Sequence, residues 1–305
     1  MRDRYYLLAC ALLSIVPLSA QQESGSSSGF VFGASMQGSS NTLGTITKLD
    51  ASAGYFFNRH WEVDLGVPYY FVSPSTSTTA ATGAASVQGI GNAYAQVRFT
   101  LANPVVNYVA TVTGTGPSGD RDKGLSTGHA TVDWSNYFDK GFGRWTPFAE
   151  VGIANAVSDT TFFIRPYVTS GFVTHAQGGT RFRFTRWMQA GAAGYVIEPG
   201  GKQTIVSRVV TTKSVGSGAT LPVTLPKTPV TAVAKGLLNK PVFETTSITT
   251  GSASLARDNG LATWLVFGKS PGLNLQVGYT RSIEYDLDTL FFGIGFNIRK
   301  AVAVF

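Results

Sequence analysis

The chain has 305 residues and a mass of 32.4 kDa, a length that suits one large domain or two ordinary ones. Lys, Arg, Asp and Glu make up only 13% of it, against roughly 25% in soluble globular proteins. The hydrophobic share is an ordinary 43%, so uncharged polar residues and 35 glycines take the place of charge. This composition argues against intrinsic disorder, which needs high charge and low hydrophobicity, and against a helical membrane bundle, which needs long apolar runs.

Residues 1–20 have the layout of a secretory signal peptide. A basic start precedes an apolar stretch from Tyr5 to Val16, and the small residue Ala20 lies just before a polar segment. The stretch is too short for a spanning helix, so we expect cleavage near Ala20 and export. Cys10 is the only cysteine, and apolar residues continue after it, unlike in a lipoprotein box. The remaining chain, 21–305, would therefore have no disulfide, thiol catalysis or cysteine-bound metal.

After this segment the chain alternates apolar and polar residues with a period of two, which is typical of β-strands. From residue 61 to 71 the odd positions carry Trp, Val, Leu, Val, Tyr and Phe. The same rule predicts about twelve strands, an even number of the kind that single-chain bacterial barrels use. The predicted spans are 29–39, 45–57, 61–72, 90–101, 105–114, 129–138, 145–155, 162–184, 187–197, 260–268, 273–283 and 287–298.

Short connections alternate with mostly longer ones along these strands. If the amino terminus is periplasmic, every short turn lies on the periplasmic side and every long loop faces outward, as outer-membrane barrels require. We therefore predict an all-β fold, a transmembrane antiparallel up-and-down β-barrel of about 12 strands spanning residues 21–305, with 198–259 as a long extracellular loop. Arg299 and Lys300 interrupt the alternation of the last strand, which implies a bulge or a short periplasmic tail before Phe305.

The predicted eighth strand, 162–184, shows which face is polar. Its odd positions carry all of its basic side chains, and its even positions include Phe172, Phe182 and Phe184. A charge at the lipid midplane costs about 2–4 kcal/mol, so the odd face must border a lumen or another polar space. Applied to every strand, this parity predicts the following pore-lining residues: Lys48, Asp50, Glu62, Asp64, Arg98, Asp133, Glu150, Arg165, His175, Arg181 and Arg183.

Two interpretations of these interior charges remain open. Acidic Glu62 and Asp64 would lie nearly opposite basic Arg181 and Arg183 at periplasmic height, which suggests a transverse field across a narrow pore. The alternative is a ladder of salt bridges that holds the barrel shut. Inward parity also predicts aromatic side chains in the lumen, as a stacking slide for aromatic solutes or as space-filling groups. These aromatic residues are Phe56, Tyr70, Tyr94, Tyr137, Phe148 and Tyr167.

Several phrases of the chain are similar to a known family. They are GTGPSGD at 114–120, GRWTPFAEVG at 143–152, the Arg-Pro-Tyr start of the eighth strand at 165–167, EPGGKQTIVSR at 198–208, RDNGLATWL at 257–265 and GYTRSIEYDLDT at 278–289. From about residue 90 to 298 the chain resembles bacterial outer-membrane barrels of the phenol meta-degradation pathway, or transporter, family. The resemblance implies a barrel for uptake of small, often aromatic compounds. It transfers no catalytic residue.

Other motifs give no site of their own. Gly114, Gly116 and Gly119 spell GxGxxG, but no helix or βαβ unit surrounds them, so an outer loop is expected. Asp120 and Asp122 could reach one calcium ion, yet the other ligands of a dedicated loop are missing, so we expect a solvated turn.

The three histidines decide whether lipid chemistry is expected. A barrel hydrolase needs a serine, a histidine and an orienting acid together on its lipid-facing rim. His60 is predicted in a periplasmic turn, His129 in or beside an outer loop, and His175 inside the barrel, so catalysis is not expected.

The sequence thus predicts a passive channel or facilitator in the cell outer membrane for small molecules, with aromatic compounds as candidates. The alternatives are a barrel enzyme acting on lipid and a closed structural or adhesive barrel. We expect no cofactor and no metal. The expected partners are outer-membrane lipid, the barrel-insertion machinery through the C-terminal strand, and a small-molecule solute. The basic excess of +7 is spread along the chain, so no nucleic acid is expected. The apolar and threonine-rich loop 198–259 is expected to cover the mouth or to form a surface hairpin.

Overall fold

The computed structural model describes residues 28–75, 85–157, 167–207, 248–251, 256–270 and 273–302. The proposed signal peptide, Arg165 and Phe305 lie outside these ranges. The strands in these ranges are β1 (Ser28–Asn41), β2 (Gly44–Phe56), β3 (Trp61–Pro74), β4 (Val87–Ile90), β5 (Tyr94–Ala102), β6 (Asn107–Thr115), β7 (Thr131–Asp139), β8 (Trp145–Ala154), β9 (Tyr167–Ser170), β10 (Val173–Arg183), β11 (Met188–Pro199), β12 (Gln203–Ser207), β13 (Ile248–Gly251), β14 (Asp258–Ser270), β15 (Leu273–Ser282) and β16 (Leu287–Val302).

Twelve of the strands form a closed antiparallel barrel. Its ring runs β1-β2-β3-β5-β6-β7-β8-β10-β11-β14-β15-β16, and β1 pairs with both β2 and β16 to close it. Closure leaves no unpaired sheet edge, the condition for a sheet to cross a bilayer. The all-β, twelve-stranded fold predicted from the alternation is confirmed.

The two ends of the barrel differ in their connections. At the short-turn end the strands are joined by residues 57–60, 103–106, 140–144 and 184–187, and at the long-loop end by segments such as 116–130. Asn58 and Asn103 form two of the short turns because each side-chain oxygen accepts hydrogen bonds from backbone N–H groups two and three residues later, at 2.8–3.0 Å. Sequence alternation and turn chemistry therefore fix the strand pairing together.

The outer face of the barrel is apolar. Large hydrophobic side chains remain exposed along the strands, with Leu65 61% and Leu290 65% accessible. A continuous apolar outer band is unfavourable in water and is what a barrel in a bilayer requires. Within the described residues, no helix has the length and apolar character needed to cross a membrane.

Aromatic rings gather on this outer face near the short-turn end. The ring centroids of Trp61 and Phe99 are 4.9 Å apart, and those of Trp145 and Phe182 are 4.7 Å apart. Trp187 stacks on Phe267 at 6.2 Å. Tryptophan and other aromatic residues favour the boundary between hydrocarbon and head groups, so these rings mark one membrane interface.

The long-loop end carries structure of its own. Strand β4 pairs with the upper part of β3, and β9, β12 and β13 form a separate three-stranded sheet. From this sheet Ile205 packs against Leu43, in the turn between β1 and β2, and against Leu287, the first residue of β16. The described ends of the 198–259 loop thus pack on the barrel mouth.

Two strand predictions need correction. The predicted strand 162–184 is too long: the barrel strand begins at Val173, and Tyr167–Ser170 pairs with β12 instead, so Tyr167 is not in the barrel wall. Gly171 separates the two at φ +149°, a conformation that glycine permits. The expected bulge at Arg299 and Lys300 is also wrong, because β16 keeps one register with β1 through Val302, and a short tail would fall in 303–305, outside the described residues.

Candidate functional site in the barrel interior

The inner face of the barrel is polar. Seven of the predicted pore-lining residues are buried there, namely Lys48, Glu62, Asp64, Arg98, Asp133, Glu150 and Arg181. Asp50, His175 and Arg183 are half-buried. These residues alternate with exposed apolar neighbours, as a barrel with opposite polarities on its two faces requires.

One charged group lies on β3 and its neighbour β5. Arg98 Nη1 is 2.6 Å from Glu62 Oε1, and Arg98 Nη2 is 3.7 Å from Asp64 Oδ2. Arg98 also donates to Gln96 Oε1 at 2.9 Å, and Gln96 donates in turn to Thr113 Oγ1 at 2.9 Å. The guanidinium is thus neutralised by carboxylates on the adjacent strand, within the barrel wall.

A second charged group lies near the short-turn end. Arg181 Nη2 donates to Asp139 Oδ2 at 2.6 Å, and the two side chains are 4% and 0% exposed. Asp139 also accepts hydrogen bonds from Tyr137 at 3.1 Å and Asn107 at 2.8 Å. The Arg181 guanidinium lies 5.8 Å and 5.1 Å from the ring centroids of Tyr137 and Phe148. Cation–π contacts and a buried ion pair therefore hold Arg181 in place.

A third group contains His175. Its Nε2 atom is 2.9 Å from Asp133 Oδ2, and nearby Gln177 donates to Glu150 Oε2 at 3.1 Å. Gly152 makes the histidine contact feasible, because a Cβ at this position would lie 2.4 Å from the ring. Two carboxylates and an imidazole are thus held on the inner face of three neighbouring strands.

The remaining predicted charged residues, Asp50, Arg183 and Lys48, lie outside these three groups. Tyr94 donates to Asp50 Oδ1 at 2.8 Å. Arg183 donates to the backbone oxygen of Gly143 in a short turn at 2.8 Å. Lys48 is only 4% exposed on β2.

The interior also contains an aromatic cluster that the sequence predicted only in part. Tyr137 and Phe148 stack at 5.9 Å, and Trp264 meets Phe148 at 6.2 Å from across the intervening strands β10 and β11. Phe291 belongs to the same buried cluster. Of the other predicted rings, Phe56 and Tyr70 are buried and Tyr94 is half-buried.

Asp139, Trp264 and Phe291 are interior residues that the sequence reasoning missed. Asp139 falls one residue past the predicted end of its strand. Trp264 and Phe291 have inward parity within their predicted strands, so applying the same rule to them would have found both. Gly191 on the neighbouring strand leaves room for the indole ring of Trp264, because a Cβ at position 191 would lie 2.2 Å from that ring.

The ion pairs bear on the two interpretations of the interior charge. Strands β3 and β10 lie nearly opposite in the ring, yet Arg98 and Arg181 each pair with a carboxylate on their own side of the barrel. Short local pairs cancel most of the field that opposite walls would create. This arrangement favours salt bridges within each wall over a transverse field, and it leaves open whether the lumen is closed.

Loop residues 116–130 fold inward at the long-loop end. Leu125 is 2% exposed and packs with Ile46, Tyr70 and Val72, so this loop narrows the mouth. Asp120 pairs with Lys123 Nζ at 3.3 Å, and a hydrogen bond from the backbone N–H of Lys123 lowers the pKa of the Asp120 carboxyl. In the described part of the chain no three His, Cys, Asp or Glu side chains form a group that could bind a metal ion.

The histidines do not form a catalytic triad within the described ranges. His60 Nδ1 lies 2.8 Å from the backbone oxygen of Thr100 at the short-turn end. The backbone N–H of His129 lies 3.3 Å from Thr127 Oγ1 in the 116–130 loop. His175 has an acidic partner, but no hydroxyl of the described residues hydrogen-bonds to its ring.

Known proteins share the fold more clearly than the sequence. No protein-family model matches the chain, and neither does any curated protein, so the resemblance to the phenol meta-degradation family stays a prediction. Among solved structures, an outer-membrane channel from Pseudomonas putida F1 aligns with a TM-score of 0.52 at 12% identity, covering 93% of this chain and 100% of that one. At this identity the likeness shows the fold alone.

Two further solved structures align more loosely. The NanC porin has a TM-score of 0.45 at 7% identity, covering 87% of this chain and 98% of the porin. The translocator domain of the autotransporter NalP from Neisseria meningitidis has a TM-score of 0.40 at 9% identity, covering 92% and 90%. They support no further argument.

Proposed function

We propose that the protein is a passive channel of the bacterial outer membrane through which small molecules cross. The observation that carries the proposal is the closed twelve-stranded barrel with an apolar outer face and a polar, charged inner face. The outer face fits outer-membrane lipid. The inner face gives polar solutes a route that hydrocarbon does not. Export through a cleaved signal peptide belongs to the same proposal.

The number of strands supports a narrow passage. Barrels of about eight strands are filled by side chains or hold one small ligand, whereas 16–18 strands leave an aqueous channel. Twelve strands lie between these cases, and the aromatic cluster and the inward-folded 116–130 loop reduce the remaining space. We therefore propose a solute no larger than a single small ring or sugar.

Aromatic compounds are the candidate solutes. Tyr137, Phe148 and Trp264 present ring faces and edges inside the barrel, and offset or edge contacts with a solute ring would be favourable. The similarity of the loop phrases to the phenol meta-degradation family points the same way. Of the predicted pore-lining residues, the buried charged ones would set the polarity of the passage.

Insertion of the barrel is proposed to depend on its last strand. β16 has exposed Leu290, Phe292 and Ile294 on one face and runs in register beside β1. Such an amphipathic closing strand suits recognition by barrel-insertion machinery, because it presents a ready edge until β1 pairs with it.

Liposome swelling tests the proposal and its alternatives. Vesicles containing the purified protein should swell in solutions of phenols, aromatic acids or sugars, faster than protein-free vesicles. Swelling no faster than in protein-free vesicles contradicts the channel. Release of fatty acid from the vesicles, lost on mutation of His129, would support a lipid enzyme. Neither swelling nor release would support a closed structural barrel.

A further inference from the structure

The interior wall formed by β15, β16 and β1 differs from the charged walls described above. Its inner face carries uncharged polar side chains on both sides of two glycines of β16. In one row Gln37 and Gln276 both face Gly293, and in the next Ser35 and Asn274 both face Gly295. We name these six residues, Ser35, Gln37, Asn274, Gln276, Gly293 and Gly295, the β16 track.

The lack of a side chain at Gly293 leaves a small groove between the two glutamines. A methyl group placed on Gly293 would lie 3.8 Å from Gln37 Cγ and 4.0 Å from Gln276 Cβ, which are ordinary contact distances. Neither glutamine therefore occupies the position that a Cβ of residue 293 would take. A group as small as a hydroxyl fits there.

Each of the two glutamines has one buried amide atom without a hydrogen-bond partner among the described residues. Gln37 is 9% exposed and Gln276 1%, and within the described residues neither Gln37 Oε1 nor Gln276 Nε2 meets a hydrogen-bond partner. An unsatisfied buried amide atom is unfavourable, so such atoms are normally paired with water or another polar group. Gln37 Oε1 accepts and Gln276 Nε2 donates, and a hydroxyl group can do both, so it can satisfy either atom.

The track opens toward the short-turn end and ends at aromatic rings. Gly33 and Asn297, paired one row below Ser35, are half-buried and so less enclosed than Gln37 and Gln276. Phe291 lies on the inner face one row above Gly293 and belongs to the aromatic cluster with Trp264. A ring held there would place its substituents toward the amides, because inner-face rows are about 7 Å apart.

We infer that the β16 track is a binding subsite for small uncharged molecules that carry hydroxyl groups. The inference rests on the proposed channel function and adds a solute class to it. No track residue carries a charge, and Lys48 and Asp50, which pair with Gln37 and Ser35 from the adjacent strand β2, have opposite charges, so a charged solute gains little net attraction here. Buried atoms without a hydrogen-bond partner occur elsewhere in the described interior as well, at Arg98 Nε and Arg181 Nε, but those side chains are charged and held in ion pairs, whereas the track atoms belong to neutral amides.

Block of the ion current by added solute tests the subsite. The full-length protein is inserted into a planar bilayer in KCl, and resorcinol is added as the uncharged hydroxylated probe and benzoate as a charged probe of similar size. Dissociation constants come from the fractional block relative to each variant's own open current. Resorcinol should block the wild-type current at lower concentration than benzoate.

Variants then locate the effect. Gln37→Met and Gln276→Met keep side-chain length and remove the amides, and each should raise the resorcinol dissociation constant about 2- to 10-fold, the change expected for one hydrogen bond. Gly293→Phe fills the groove and should abolish resorcinol block. Its control, Gly194→Phe, lies on the outer face, where a Cβ has 3.7 Å of clearance, and should behave as wild type.

The outcomes separate the two proposals. If the wild type conducts ions but both methionine variants and Gly293→Phe keep the wild-type resorcinol constant, the subsite is wrong and the channel stands. If resorcinol and benzoate constants rise equally, the track has no preference for uncharged solutes and the inference also fails. If the wild type conducts no ions, the channel proposal fails and the subsite falls with it.

Discussion

The buried pair of Arg181 and Asp139 gives a prediction that the geometry allows us to quantify. Asp139→Asn removes the negative charge while keeping the shape of the side chain. At 2.6 Å and an effective dielectric constant of about 20, the attraction between the two charges is on the order of 6 kcal/mol, and desolvation of both groups offsets part of it. The guanidinium left behind is 4% exposed. We therefore expect a loss of about 3–5 kcal/mol in the free energy of unfolding.

Urea unfolding in lipid vesicles, followed by tryptophan fluorescence, measures this loss. The matched control is Arg257→Gln, which breaks the exposed pair with Glu198, where both side chains are about half exposed, and should cost at most about 1 kcal/mol. A double variant, Asp139→Asn with Arg181→Met, should recover much of the loss because no unpaired charge remains buried. A loss of under about 1 kcal/mol for Asp139→Asn, equal to the control, would refute the reasoning.

Two further variants test the two faces of the wall by the same unfolding measurement. Leu65→Arg puts a charge on the outer face at a side chain that is 61% exposed, and should lower the free energy of unfolding by about 2–4 kcal/mol. Val105→Arg, in a short turn, should lower it little. Equal effects would argue against a membrane-facing surface. Gly152→Ala places a Cβ 2.4 Å from the His175 ring and should lower the free energy of unfolding by about 1–3 kcal/mol. Gly194→Ala, the control, should leave it unchanged. No change for Gly152→Ala would show that the ring does not occupy the described position.

The fold could be predicted from the sequence because one rule applies along the whole barrel. Side chains alternate between two environments, so period-two alternation identified the strands and the polarity of each face. The rule failed where a strand left the barrel without losing its alternation. Tyr167–Ser170 alternates as well as Val173–Arg183 does, but pairs with β12, and only the tertiary contacts distinguish the two segments.

The interior residues were predictable as a set but not as pairs. Parity placed Arg98, Arg181 and Glu62 on the inner face, yet their partners depend on strand register, which alternation does not give. The partner of Arg181 proved to be Asp139, at the end of a strand whose boundary the sequence leaves uncertain by a few residues. The β16 track was out of reach for another reason: Gln37 and Gln276 lie about 240 residues apart and flank Gly293 together only because the barrel closes.

Single-channel recording of the purified full-length protein in a planar lipid bilayer tests the central claim most directly. The account predicts discrete, long-lived steps of ionic current that appear when the protein is added and are absent from protein-free bilayers. Their amplitude should be small, because the aromatic cluster and the 116–130 loop narrow the passage. Folded, inserted protein that gives no current steps at any applied voltage would contradict the claim that this barrel is a channel.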